Sequence, residues 1–96
     1  MRSIKRTAAF KRDLKRESKG VYRFIIKAEL KDIVERLAMD LPLDEKYRDH
    51  ELKGNRAGFR ECHIRPDLLF IYRLQDGEID LVVLARLGSH SEIIDL

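Results

Sequence analysis

A change of hydrophobic period near residue 58 constrains this chain more than any other feature. Upstream, Ile26, Leu30, Ile33, Val34, Leu37 and Ala38 recur three and four positions apart, the repeat of an amphipathic helix running from Val21 to about Met39. Downstream, Gly58 to Ile64, Leu68 to Leu74 and Ile79 to Arg86 are short runs rich in β-branched and aromatic residues. One period suits a helix stripe and the other a pleated strand, so the chain must pack helices on a sheet. Pro66-Asp67 separates the first two strands, and Asp76-Gly77 is a hairpin signal between the second and third. An antiparallel meander follows.

The flanking segments complete the expected fold. Ser3 to Arg6 reads as a short first strand, and Thr7 as the N-cap of a basic helix in which Phe10 and Leu14 share one face. Gly20 is placed to end that helix in a left-handed conformation. Leu41-Pro42-Leu43 breaks the second helix, and the polar stretch from Asp44 to Gly58, with Gly54 and Asn55, reads as an ordered loop. The order β-α-α-β-β-β gives an α+β fold: a helical hairpin on a small sheet, with the N-terminal strand at one edge. With 96 residues, a single domain over 1–96 and one core are expected.

The longest apolar stretches, Leu68 to Tyr72 and Leu81 to Ala85, are far shorter than a membrane span, and the charged N-terminal segment lacks the apolar run of a secretory signal. No membrane association is expected. Cys62 is the single cysteine, which excludes an internal disulfide and a thiolate metal site and fits a reducing cytoplasm. The formal charge of +3 is unevenly spread: residues 1 to 24 hold nine Lys or Arg against Asp13 and Glu17, a local +7. Lys11, Arg12, Lys15 and Arg16 on the first helix are therefore candidates to meet RNA phosphates or an acidic protein, against the alternative of a plain solvated face.

All three histidines, His50, His63 and His90, fall outside the helical hairpin. Strand alternation puts Phe59, Glu61 and His63 on one face and Arg60, Cys62 and Ile64 on the other. If the helices cover Cys62 and Ile64, His63 is left on the open face. RNA can be cleaved without a metal when a base takes the 2′-hydroxyl proton, an acid protonates the departing 5′-oxygen and cations hold the phosphate. Histidine and Asp67 suit the first two roles, and Arg86, Arg60 and Lys53 the third. Each has a plainer reading as a surface, turn or ion-paired residue. Asp67 and Arg86 approach each other only if the strand registers allow it. The histidine spacings of 13 and 27 match no compact zinc motif.

Several groups occur in order: Tyr47-x-Asp49-His50-x-Leu52-x-Gly54, Gly58-Phe59-Arg60-x-x-His63-Ile64-x-Pro66-Asp67, Ile71-Tyr72 and Arg86-x-Gly88-x-His90. This arrangement resembles the YafQ branch of the RelE/ParE toxin superfamily, over nearly the whole chain. The resemblance implies the toxin of a type II toxin–antitoxin pair, a metal-independent endoribonuclease without a cofactor that cuts messenger RNA in the ribosomal A site. It also implies 2′-oxygen attack giving a 2′,3′-cyclic phosphate, with His50, His63, Asp67, Arg86 and His90 as the functional set. Asp67 is then the expected base, His90 the acid, and Arg86, His50 and His63 the phosphate-holding and orienting groups.

By the same resemblance, the basic helix meets ribosomal RNA or an antitoxin arm, and the toxin–antitoxin complex is a heterotetramer that binds operator DNA through the antitoxin. Two departures bear on target preference: Leu68 and Ile93-Ile94 stand where relatives tend to carry aromatics on which a base can stack, and Phe59 is the substitute candidate. The rival readings are a non-cleaving module of the same fold that binds RNA, the ribosome or an antitoxin, and a metal-dependent nuclease using the three histidines.

Overall fold

Thr7 separates the first two elements. Its hydroxyl accepts from the Phe10 N–H at 3.0 Å, ending strand β1 (Ser3–Arg6) and starting helix α1 (Ala8–Glu17). The structure is a computed structural model and describes residues 1–93. Helix α1 does not end through a left-handed Gly20 as expected. Its cap residue Ser18 is right-handed, and the N–H groups of Ser18, Lys19 and Gly20 bond to the carbonyls of Leu14, Arg16 and Glu17. Those turn bonds satisfy carbonyls at the helix end without a left-handed residue.

The second helix, α2 (residues 23–38), is α-helical at Arg23–Ile25, widens to a π-turn at Ile26–Leu30 and returns to α-helix at Lys31–Ala38. The wider turn rotates the apolar stripe, yet Ile26, Leu30, Ile33, Val34, Leu37 and Ala38 all remain buried. No helix among the described residues is long and apolar enough to cross a membrane.

The sheet has five strands in the order β1-β5-β4-β3-β2, with β3 (Arg60–Arg65), β4 (Leu68–Gln75) and β5 (Leu81–Gly88) forming the expected meander. β1 adds parallel to β5 at one edge, and the other pairs are antiparallel. The additional strand, β2 (His50–Glu51), lies in the stretch read as loop. Two residues are too short to show a period, so only the pairing with β3 reveals it. The two hairpins also differ. Pro66 and Asp67 form a two-residue connection between Arg65 and Leu68, whereas the Gln75–Leu81 pair encloses residues 76–80 and leaves Ile79 exposed outside the strand.

The helices cover one sheet face, burying Cys62, Ile64, Leu68, Phe70, Tyr72 and Leu87 against Phe10, Ile33 and Leu37. Leu68 belongs to this face and is 0% exposed, which corrects its reading as a base-stacking position: an aromatic there would enlarge the core rather than meet RNA. On the other face Leu69, Ile71, Ala85 and Ile93 form a second, smaller cluster flanked by Leu52 and Phe59. Strand β4 is therefore apolar on both faces, which accounts for its unbroken hydrophobic run. Ile93 is buried in this cluster, while Ile94 lies outside the described residues.

Candidate active site

Ladder register decides which side chains meet. His50 pairs with Glu61, Glu61 with Ile71 and Ile71 with Arg86, so one row of the sheet carries His50, Glu61 and Arg86 across four strands. In the next row His63 pairs with Leu69, and Leu69 with Gly88. Beyond this row lie Asp67, in the β3–β4 turn, and His90, in the turn that follows β5. The register separates Asp67 from Arg86, whose partner Ile71 lies four residues further along β4.

Glu61 is the centre of the cluster and was missing from the residues singled out in the sequence. Its carboxylate is buried, 3.6 Å from His50 Nε2 and 3.3 Å from His63 Nε2, and the two imidazoles stack with centroids 5.8 Å apart. His50 Nδ1 lies 2.8 Å from the Arg48 carbonyl. A carbonyl only accepts, so Nδ1 carries the proton and Nε2 faces Glu61. Strand alternation already placed Glu61 on the open face with His63. What it lacked was the β2–β3 pairing that brings His50 opposite.

Burial holds the His63 pKa below its ordinary value, opposed by the Glu61 carboxylate and aided by Arg48 and by the neighbouring His50 and His90 imidazoles. The neutral form of His63 is thereby favoured.

Arg86 is fixed from the helix side. Its Nε–H donates to Asp13 Oδ2 at 2.7 Å and its Nη2 to the Glu92 carbonyl at 3.1 Å. Asp13 also accepts from the Leu87 N–H at 3.0 Å and from Arg16 Nη1 at 3.1 Å, and its side chain is 3% exposed. Burial alone would push this carboxyl up, but the hydrogen bonds from Arg86 and Leu87 and the charges of Arg86 and Arg16 bring it below the usual range. The sequence carried a signal for Asp13, its place three residues after buried Phe10 and one before Leu14 on the same helix face. Arg16 is drawn into the same network, bonding Glu17, Glu92 and the Leu87 carbonyl, so it is less available to a partner than Lys11, Arg12 and Lys15, which lie outside that network. Gly88 fits against this network: a Cβ there would lie 2.6 Å from Arg16 Nη2.

The remaining candidates divide. Asp67 and His90 are exposed, and among the described residues the Asp67 carboxylate forms no hydrogen bond or ion pair. Lys53 is exposed at the start of the turn Gly54–Arg56. Phe59 lies half-buried on the open face. Arg60 points to the other face, where it pairs with Asp49 at 3.0 Å and Glu51 at 3.4 Å, and Asp49 accepts from the Tyr72 hydroxyl at 2.6 Å. Arg60 is therefore kept apart from the histidines. Cys62, buried and with its thiol pushed upward by burial, is a core residue. One ligand atom each from His50, Glu61 and His63 lie within 4.8 Å of one another, which gives this cluster metal-binding capacity as well.

The family described as bacterial toxin of type II toxin-antitoxin system, YafQ, matches residues 2–95. The mRNA interferase toxin YafQ of Escherichia coli K12 is 40% identical over 53 residues, covering 55% of this chain and 54% of that protein. The fold of the E. coli DinJ-YafQ complex superposes with a TM-score of 0.80 at 32% identity, over 97% of this chain and 98% of that one. A copper-bound mutant toxin from Helicobacter pylori superposes with a TM-score of 0.81 at 36% identity, over 97% and 99% of the two chains. With the five-stranded α+β fold and the ordered histidine motif both in place, the match across residues 2–95 means that this chain belongs to the YafQ family of type II toxin–antitoxin toxins.

Proposed function

We propose that this chain is an endoribonuclease that cleaves messenger RNA in the ribosomal A site without a metal, and that a cognate antitoxin neutralises it. The observation that carries the reading is the buried Glu61 carboxylate between the stacked imidazoles of His50 and His63, on an open sheet face whose end bears Asp67 and His90. The E. coli relative's name, mRNA interferase toxin, and the existence of a DinJ-YafQ toxin-antitoxin complex support it.

In this reading Asp67 accepts the 2′-hydroxyl proton, the 2′-oxygen attacks the adjacent phosphorus, and His90 protonates the departing 5′-oxygen. A 2′,3′-cyclic phosphate and a 5′-hydroxyl result. Arg86 offers the phosphate charge from a pre-set position, because Asp13 fixes its guanidinium before substrate arrives. His50 and His63 orient the phosphate, and Glu61 positions both rings. Lys11, Arg12 and Lys15 extend the positive surface toward ribosomal RNA or an acidic antitoxin arm, and Lys53 adds charge on the loop. The antitoxin-bound form is a heterotetramer that reaches operator DNA through the antitoxin.

A second reading, metal-assisted cleavage, is favoured by the spacing of His50, Glu61 and His63. Incubating translating ribosomes with the purified protein in EDTA, and mapping the messenger ends, separates the readings. Cuts that persist in EDTA and end in a cyclic phosphate are expected. Cleavage that disappears in EDTA and returns with zinc would replace this mechanism by the metal-assisted one. Arrest of translation without cuts would make the protein a binding module.

A further inference from the structure

A groove of about 440 Å³ lies on the same open face, on the β1 side of the histidine cluster, with Lys5, Thr7, Phe59, Arg73 and Val83 in its lining. Register explains its composition. Lys5 pairs with Val83 and Val83 with Arg73, while Phe59 immediately precedes Arg60, the partner of Tyr72. Lys5, Val83 and Arg73 therefore form one row across three strands, and Phe59, just ahead of β3, continues it. The Arg73 guanidinium sits 5.7 Å from the Phe59 ring centroid. Lys5 and Arg73 are both exposed, and among the described residues neither has a carboxylate partner. A flat aromatic face beside two uncompensated cations is the chemistry that takes a nucleotide: a base on the ring and phosphates on the charges.

The position relative to the cluster matters as much. Phe59 and Glu61 lie two residues apart on the same side of the chain, a separation of about 7 Å at ordinary strand rise. That is close to the stride of one nucleotide in an extended single strand. From this geometry we infer that the groove is a nucleotide subsite: the base flanking the scissile phosphate stacks on Phe59, and Arg73 and Lys5 neutralise the backbone beyond it. Arg73 cedes the ring to the base and turns its guanidinium to the phosphate, a short movement for a long exposed side chain. The inference rests on the nuclease reading above and adds to it a source of sequence-independent grip one step from the cut. It also supplies the aromatic platform that buried Leu68 does not.

The test uses the full chain and ribosomes programmed with a message carrying a 2′-deoxy nucleotide at the cut position, which binds without reacting. Apparent affinity is measured with the flanking base present and with an abasic nucleotide in its place. Phe59→Leu, which retains apolar contact with the second cluster, is expected to weaken binding roughly five- to hundredfold and to become indifferent to the missing base. Phe59→Trp should restore both affinity and sensitivity. Arg73→Gln should flatten the dependence of log affinity on log salt by about 0.7. A role for Phe59 confined to packing predicts instead that Phe59→Leu still loses as much as wild type when the base is removed, and that result overturns the subsite. So does full affinity in Phe59→Leu. A wild type that cuts normal messages while failing these comparisons overturns the subsite alone; a wild type that cuts nothing overturns the nuclease reading.

Discussion

Asp13→Ala is expected to lose about 3–5 kcal/mol of stability in urea unfolding, more than any surface carboxylate of this chain, because it removes a buried anion on which three donors converge. Asp13 takes hydrogen bonds from Arg86, Arg16 and the Leu87 N–H, and its own side chain is almost wholly buried. Removing it takes the side-chain acceptor from the buried Leu87 N–H and one acceptor each from Arg86 and Arg16. Asp13→Asn should lose less, since its amide oxygen can still accept from Leu87.

The dependence on pH has a definite sign. The folded carboxyl titrates below its unfolded value, so its stabilisation is fully present above about pH 4 and disappears as pH falls through the folded pKa. Wild type and Asp13→Asn should therefore converge in stability in strong acid. A loss under about 1 kcal/mol for Asp13→Ala at neutral pH would show that Arg86 and Leu87 find other partners. Because the same residue holds Arg86, cleavage should fall even under conditions where Asp13→Asn remains folded.

The second large effect concerns chemistry rather than stability. His90→Ala should lower kcat for messenger cleavage by about 10²- to 10⁴-fold, with affinity for the programmed ribosome within a few-fold of wild type, the pattern of a lost proton donor. Asp67→Ala should behave alike. Both side chains are exposed, so unfolding curves of the variants should superpose on wild type. Near-normal kcat in either variant would remove that residue from acid–base work. If Asp67→Ala were active and Glu61→Gln inactive, Glu61 would be the better candidate for the base, since it already lies within 3.6 Å of two imidazoles.

Much of this molecule was legible in its residues, and what was not has identifiable causes. Thr7, the apolar spacing from Ile26 to Ala38 and the three β-rich runs announce their elements because capping and periodicity are local. The side of the sheet that each residue faces also followed, since alternation along β3 needs no partner strand. Gly20 misled because a helix end can be satisfied by turn bonds as well as by a left-handed residue. Asp76-Gly77 marked the hairpin, but a residue pair does not state a turn's length, so the third strand starts at Leu81 rather than Ile79. Strand β2 escaped notice for want of length. Arg60 carried the charge expected of an RNA contact, yet its face was set by the same alternation that put His63 on the other side.

Local chemistry therefore determined the element types, the α+β class, the open face of His63 and, through the ordered motif, the family resemblance. Only the tertiary structure decided that Glu61 stands between His50 and His63, that Asp13 holds Arg86, and that Arg86 pairs with Ile71, four residues along β4 from Asp67. The physical reason lies in what each level depends on. Helix and strand signals arise within a few residues, whereas these contacts join different elements, and a shift of one residue in any ladder would turn the same side chains to the opposite face.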